Sequence, residues 1–192
     1  MNNERILAIN PGSTSTKIAV YEGNKNIFLK TIRHTPEELQ CYRKITDQFS
    51  FRKDIILKEL KAAGIDLNSI RVVVGRGGLV KPIPSGIYEV NSRMIEDLKA
   101  GLMGEHASNL GGIIADEIAR SLKDAKAYIA DPVVVDELQA VARIAGHPLF
   151  KRVSIFHALN QKAVARLYAR SQNKNYEDLN LLIAHLGGGI SV

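Results

Sequence analysis

Ile6-Leu7-Ala8-Ile9-Asn10-Pro11-Gly12-Ser13-Thr14-Ser15-Thr16-Lys17-Ile18-Ala19-Val20-Tyr21 reads as a strand, a turn and a second strand. The apolar run Ile6 to Ile9 suits a buried strand. Asn10-Pro11-Gly12 breaks it, and Ile18 to Tyr21 resumes in the same style. Between them lie the hydroxyls of Ser13, Thr14, Ser15 and Thr16, then the cation Lys17. A tight glycine turn with hydroxyls, backbone N–H groups and a lysine is a suitable cradle for phosphate oxygens. A plain polar hairpin loop would carry similar residues.

A second stretch repeats the design. Leu181-Leu182-Ile183-Ala184-His185-Leu186 is apolar, Gly187-Gly188-Gly189 ends it, and Ile190-Ser191-Val192 opens another strand. Consecutive glycines leave the main chain open to close approach by a ligand. A flexible turn is the plain alternative, but two such units suggest two arms of one nucleotide site.

These two motifs resemble the phosphate motifs of the acetate and butyrate kinases, relatives of actin, the sugar kinases and the large heat-shock ATPases. Gly75-Arg76-Gly77-Gly78-Leu79, Gly104-Glu105-His106-Ala107-Ser108-Asn109-Leu110-Gly111, Asp131-Pro132-Val133-Val134-Val135-Asp136-Glu137 and Ser154-Ile155-Phe156-His157-Ala158-Leu159-Asn160-Gln161 are similar to the butyrate kinase branch. The resemblance implies an α/β chain with an actin-like, ribonuclease H-like ATPase fold: a mixed sheet flanked by helices. It implies a complete first domain over 1–155 and the truncated start of a second over 156–192. The family continues past the triple glycine, so its adenosine pocket and the acidic group associated with its metal are expected beyond Val192.

Composition agrees with a globular protein. The 192 residues are 45% hydrophobic and 24% charged. The net charge of +6 suits an anionic small molecule. Lys and Arg are scattered and not interleaved with aromatics, which argues against nucleic acid as a partner. Cys41 is the only cysteine, so neither an intrachain disulfide nor a Cys-based zinc cluster is expected. No apolar run approaches the roughly 20 residues that cross a bilayer, and no signal-peptide core precedes Ile6. A cytoplasmic protein without membrane partners is expected.

Along the chain, strands are expected over Ile6–Asn10, Thr16–Tyr21 and Ile27–Lys30 as an antiparallel set. Thr35-Pro36-Glu37-Glu38 reads as a capped helix start. A helix follows from Asp47 to Ala63, stopped by Gly64. Arg71–Val74 is a buried strand, and Ser92–Lys99 a helix. A glycine-punctuated loop runs from Gly101 to Gly112, and Ile113–Ser121 is helical. Ala127–Ala130 is a strand, Asp136–Ala145 a helix, and Ala158–Arg170 a helix with Leu159, Ala163, Leu167 and Tyr168 on one stripe. Leu181–His185 is the last strand.

Phosphoryl transfer needs positioning and charge neutralisation around the transferring group. Arg76 follows a strand between glycines, free to reach a carboxylate or phosphate with its planar fork. The acetate kinase run it resembles, His-Arg-Val-Val-His-Gly-Gly, places the arginine elsewhere. His157 opens a helix, where the dipole favours an anion; by resemblance to a Phe-His-Gly run it serves the transferring phosphoryl group. His106 resembles another active-site histidine. Asp131, locked by Pro132, either holds Mg²⁺ through water or orients Arg76; a turn-forming Asp is the plain alternative. By resemblance Asn10, Gly12, Ser13, Thr14, Ser15, Lys17, His185, Gly187, Gly188 and Gly189 belong to the nucleotide's phosphates. No residue is assigned as a direct metal ligand. Gly75, standing where the acetate kinase pattern has valine, is expected to widen an acyl pocket or to need a positive φ.

The implied reaction is reversible phosphoryl transfer between ATP and butyrate or a similar acid, giving ADP and an acyl phosphate with Mg²⁺. The attacking carboxylate is already ionised at neutral pH, so no general base is required. The family suggests a homo-oligomer for the full-length form. The alternative is a catalytically inactive binding or regulatory fragment of such a kinase.

Overall fold

The structure is a computed structural model and describes residues 4–186 and 190–191. It divides into two units. The first comprises the described residues up to Lys81 together with Gly86–Ala130. The second comprises Pro82–Ser85 and the described residues from Asp131 onward.

The first unit is built on β1 (Arg5–Pro11), β2 (Ser15–Glu22), β3 (Lys25–Arg33), β4 (Ile70–Arg76), β5 (Ile87–Glu89) and β6 (Lys126–Ala130). They form one mixed sheet in the order β3-β2-β1-β4-β6-β5. β1, β2 and β3 are an antiparallel meander, as expected from the two opening turns. β4 lies parallel to β1 and β6 parallel to β4, while β5 closes the edge antiparallel to β6. The short β5 carried no sequence signal, being hidden by Pro82, Pro84 and Gly86.

The helices of this unit are α1 (Pro36–Gln40), α2 (Phe49–Ala62), α3 (Ser92–Ala100) and α4 (Asn109–Ser121). The Thr35 and Glu38 capping box forms as expected. The helix expected from Asp47 begins instead with a 3-10 turn, Ile45–Gln48, and becomes α2 at Phe49. Its buried stripe is Arg52, Ile56 and Leu60, four residues apart. Gly64 terminates it with φ +67°.

α4 starts four residues before the expected Ile113, so Gly111 and Gly112 lie inside it. These glycines let the α4 backbone rest directly on β4. A Cβ on Gly111 would press on the Arg76 carbonyl, and one on Gly75 on the Gly111 carbonyl, both under the 3.0 Å that real Cβ atoms respect. Gly75 does not have a positive φ. The expectation that its missing side chain enlarges an acyl pocket is therefore overturned: the space is filled by α4.

Pairing register sorts the sheet into two faces. Leu7 opposes Val20 and Ile9 opposes Ile18; with Val73, Ala127 and Ile129 they are buried on the helix-covered face. Asn10 and Lys17, a paired couple, and Arg76 fall on the opposite face.

The second unit contains α5 (Ala158–Ser171) and two short strands, β7 (His185–Leu186) and β8 (Ile190–Ser191), paired antiparallel. The strand expected over Leu181–His185 reduces to this ladder, since 181–184 are not in a strand. No α-helix forms over Asp136–Ala145; a 3-10 turn at Ala140–Arg143 stands in its place. Asp136 is the physical reason. Its carboxylate accepts from the Leu138 N–H at 3.2 Å and from Arg143 at 2.9 and 2.8 Å. Such local side-chain bonds compete with helical ones. α5 buries Ala158, Gln161, Ala165 and Ala169. Leu159, Leu167 and Tyr168, expected to form its packed stripe, are exposed.

Candidate functional site

The turn from Gly12 to Ser15 is held from one side. Its first N–H closes it, donating to the Ser15 carbonyl at 2.7 Å. The Gly12 carbonyl accepts from Arg52 Nη1 at 2.8 Å, and the Ser13 carbonyl from Arg52 Nη2 at 3.1 Å. The Thr14 carbonyl accepts from the His34 N–H at 2.9 Å. Arg52 Nη1 also reaches the Ser15 carbonyl and the Thr16 hydroxyl, at 3.2 and 3.1 Å. Thr16 is buried, whereas Ser13 and Thr14 are exposed.

Arg52 itself is 1% exposed. Its Nε and Nη2 share the Gln48 Oε1, at 3.1 and 2.8 Å. Burial pulls its pKa down to about 10, so it stays charged at neutral pH. Behind it, Thr16 Oγ1 and His34 Nε2 are 2.8 Å apart. His34 Nδ1 is buried without a hydrogen-bond partner. Burial first, then Arg52, lowers the His34 pKa.

On the open face, Arg76 Nη1 donates to Asn10 Oδ1 over a long 3.4 Å. Among the described residues neither Arg76 nor Lys17 forms an ion pair. Asn109, fully buried at the start of α4, ties together the loops that carry the other candidates. Its Oδ1 accepts from Leu79 N–H and its Nδ2 donates to the Gly104 carbonyl, both at 2.9 Å. His106 Nδ1 accepts from the Ser108 N–H at 3.2 Å and lies 2.8 Å from the Ser108 hydroxyl. A backbone N–H can only donate, so the neutral ring carries its proton on Nε2. The residue is exposed overall, yet partial desolvation of the ring, then the Arg76 guanidinium, lower its pKa.

In the second unit Asp131 has φ +34° and is nearly buried. Its Oδ1 accepts from the Ser85 hydroxyl at 2.7 Å, and Arg166 Nη1 stands 3.8 Å from Oδ2. Glu137 accepts from the Ser85 N–H at 3.0 Å and pairs with Lys162 at 2.7 Å. Lys162 is the main cause of its lowered pKa. His157 is the N-cap of α5, as its position before Ala158 led us to expect. Its ring stacks on that of His185, with centroids 4.0 Å apart and planes 11° from parallel. Asn160 Nδ2 and His185 Nδ1 are 2.8 Å apart. Gly187, Gly188 and Gly189 lie outside the described residues.

The structure thus gathers Asn10, Lys17 and Arg76 on one face, with His106 under the influence of Arg76. Separately, it gathers His157 with His185, and Asp131 with Ser85 and Arg166. Sequence reasoning missed Arg52, Gln48, Ser85, Asn160 and Arg166. Arg52 had a readable signal: it sits on the helical stripe of Ile56 and Leu60, where an arginine is out of place unless it has work inside. Among the described residues, no three His, Cys, Asp or Glu side chains stand together as a metal cage. No helix is long and apolar enough to cross a membrane.

No family model matches the sequence. Among known proteins, the chain is 62% identical over 188 residues to "Butyrate kinase 1" of Clostridium acetobutylicum, covering 98% of this chain and 53% of that protein. It is 58% identical over 188 residues to "Butyrate kinase 2" of the same organism, again covering 98% of this chain and 52% of the relative. It is 57% identical to a "Probable butyrate kinase" of Bacteroides thetaiotaomicron, covering 98% of this chain and 53% of the relative. The chain therefore spans about half the length of the curated relatives it matches. Among solved structures, acetate kinase of Porphyromonas gingivalis superposes with a TM-score of 0.68 at 15% identity, over 97% of this chain and 53% of that one. A propionate kinase of Francisella tularensis gives 0.66 at 16% identity, over 97% and 53%. The fold is that of these carboxylate kinases, and the sequence resembles the butyrate kinases along nearly its whole length.

Proposed function

We propose that this chain is part of a short-chain fatty acid kinase of the butyrate kinase type. It would transfer a phosphoryl group reversibly between ATP and a carboxylate, giving ADP and an acyl phosphate. The observation that carries this reading is the group Asn10, Lys17 and Arg76 at the turn-end of the sheet: two cations, without a carboxylate counter-ion among the described residues, beside a hydroxyl-rich turn. Phosphoryl transfer asks chiefly for positioned positive charge and backbone donors.

In this reading the Ser13–Ser15 turn and Lys17 take nucleotide phosphates, and Gly187, Gly188 and Gly189 are assigned to the nucleotide phosphates by resemblance. Arg76 orients the substrate carboxylate or the transferring group through its fork. His106, neutral with Nε2–H outward, donates a hydrogen bond to a charged oxygen. His157, at the N-cap of α5, is assigned by its resemblance to the Phe-His-Gly run to the transferring phosphoryl group. Asp131, bonded to Ser85, keeps both of its expected roles, toward Mg²⁺ through water or toward an arginine. Mg²⁺ would enter this site with the nucleotide phosphates. A carboxylate oxygen attacks phosphorus as the bond to the ADP oxygen breaks, and no proton needs to be removed. The division into a domain of residues 1–155 and the opening of another over 156–192, a cytoplasmic location and a homo-oligomeric full-length form belong to the same proposal.

The test is acyl hydroxamate formation from butyrate, ATP, Mg²⁺ and hydroxylamine by the intact protein. Arg76→Lys keeps the charge and loses the fork, and should lower kcat/KM by about a hundredfold with an unchanged circular dichroism spectrum. Unaltered turnover in that folded variant would remove Arg76 from the site.

A further inference from the structure

We propose that Arg52 is the positioning residue of the phosphate turn, and that the counter-ion of its buried guanidinium is the anionic ligand bound on the far side of that turn. The inference rests on the reading of Ser13–Ser15 as a phosphate site and assigns to it a residue outside the motif.

Peptide planarity carries the geometric half. In a planar trans peptide the C=O of one residue and the N–H of the next point in opposite directions. The Gly12 and Ser13 carbonyls point at the Arg52 guanidinium. The N–H groups of Ser13 and Thr14, the other ends of those peptides, therefore point away from it. Neither is engaged in a hydrogen bond among the described residues. The Thr14 carbonyl is likewise taken, by the His34 N–H. Arg52 thus collects the acceptors of the turn on its inner side and leaves donors for the outer one, the arrangement of an anion-binding nest.

Charge carries the other half. Buried charges are ordinarily paired. Arg52 is almost wholly buried, and its partners are carbonyls, the Thr16 hydroxyl and the Gln48 amide. Among the described residues no carboxylate lies within ion-pair distance of it. Nearby His34 adds no negative charge, being held neutral. A positive charge set behind peptide dipoles that already point their N–H ends outward adds to their field at the same spot. An anion there satisfies both. The fit is to the terminal oxygens of a nucleoside polyphosphate or of an inorganic polyphosphate, which share that chemistry.

Arg52→Gln and Arg52→Lys, made in the intact protein, test this by calorimetric titration with MgATP and with inorganic tripolyphosphate. Arg52→Gln should weaken both by about tenfold, while KM for the carboxylate changes less than about twofold. Arg52→Lys restores the charge without the fork and should recover part of the loss, a rescue that a purely structural arginine would not show. Folded Arg52→Gln protein that binds both probes like wild type overturns the assignment and leaves the kinase reading standing. Wild type that binds tripolyphosphate but not MgATP, with the loss in Arg52→Gln, keeps the assignment and overturns the kinase reading. Binding of neither probe by wild type overturns both. If Arg52→Gln does not fold, Gln48→Met removes only the anchor shared by Nε and Nη2, and unchanged affinity in that folded variant overturns the proposal.

Discussion

The two units bury their apolar side chains to different extents. In the first, Leu7, Ile9, Ile18, Val20, Ile56, Leu60, Ile113 and Ile118 are all buried between one sheet face and its helices. In the second, the buried hydrophobic residues among those described are Val134, Val135, Ala158, Ala165 and Ala169, while Leu149, Phe150, Val153, Ile155, Leu167 and Leu182 are exposed. The difference teaches that periodicity locates an apolar stripe without saying whether anything covers it. α5 has two usable faces, one of small residues and one of large. The alanine face is the one the fold buries.

The contrast is sharpest where backbones touch. Gly75 and Gly111 bring β4 and α4 together with no room for a Cβ. Gly75→Val should cost about 3 kcal/mol or more through overpacking, enough to abolish cooperative urea unfolding in a marginal protein. Gly111→Ala should follow in the same direction. If Gly75→Val instead folded and shifted catalytic efficiency from butyrate toward acetate, the site would be a pocket wall and the packing account would fail.

A matched pair of truncations sharpens it further. Leu60→Ala in α2, where the side chain is fully buried, should lose about 3 kcal/mol. Leu167→Ala in α5, with Leu167 68% exposed, should stay within about 0.5 kcal/mol. Chemical denaturation of both variants checks this. Equal losses would mean that the outward face of α5 is covered in solution.

The first unit was legible because its signals are local. A hydroxyl turn between two apolar runs, a Thr-Pro-Glu-Glu cap and a β-branched run each name their own structure. Helix α4 began earlier than expected because Gly111 and Gly112 look like loop residues until the strand they touch is known. The segment from Asp136 to Ala145 has helical composition, but the Asp136–Arg143 clamp diverts it. Asn10, Lys17 and Arg76 were readable one by one, and pairing register supplied their common face. Arg52 was readable only as an arginine on a buried stripe, because most of its partners are backbone carbonyls, which have no letter in a sequence.

The smallest effect separates the units by pH. In the first unit His34 has a lowered pKa, from burial and then from Arg52, with Glu38 opposing. The unfolded chain then binds a proton near the ordinary histidine value of about 6.5 that the folded state refuses. Where the unfolded state holds more protons, stability rises with pH. Stability should therefore be level above pH 7 and fall as pH drops below about 6.5. In the second unit the lowered groups are carboxylates, Asp136 beside Arg143 and Glu137 beside Lys162. Depressed carboxylates add stability above their unfolded values of about 4, and lose it as pH falls below them. Hydrogen exchange of peptides from β3 and α2 should thus quicken between pH 7 and 5.5, after correction for intrinsic rates, while peptides from 131–145 hold until more acid conditions. His34→Gln should reduce the first response, leaving the part that comes from His106, whose pKa is also lowered, and leave the second alone. Simultaneous loosening of both sets at pH 6 would mean that the units unfold as one, and that the contrast in burial does not extend to stability.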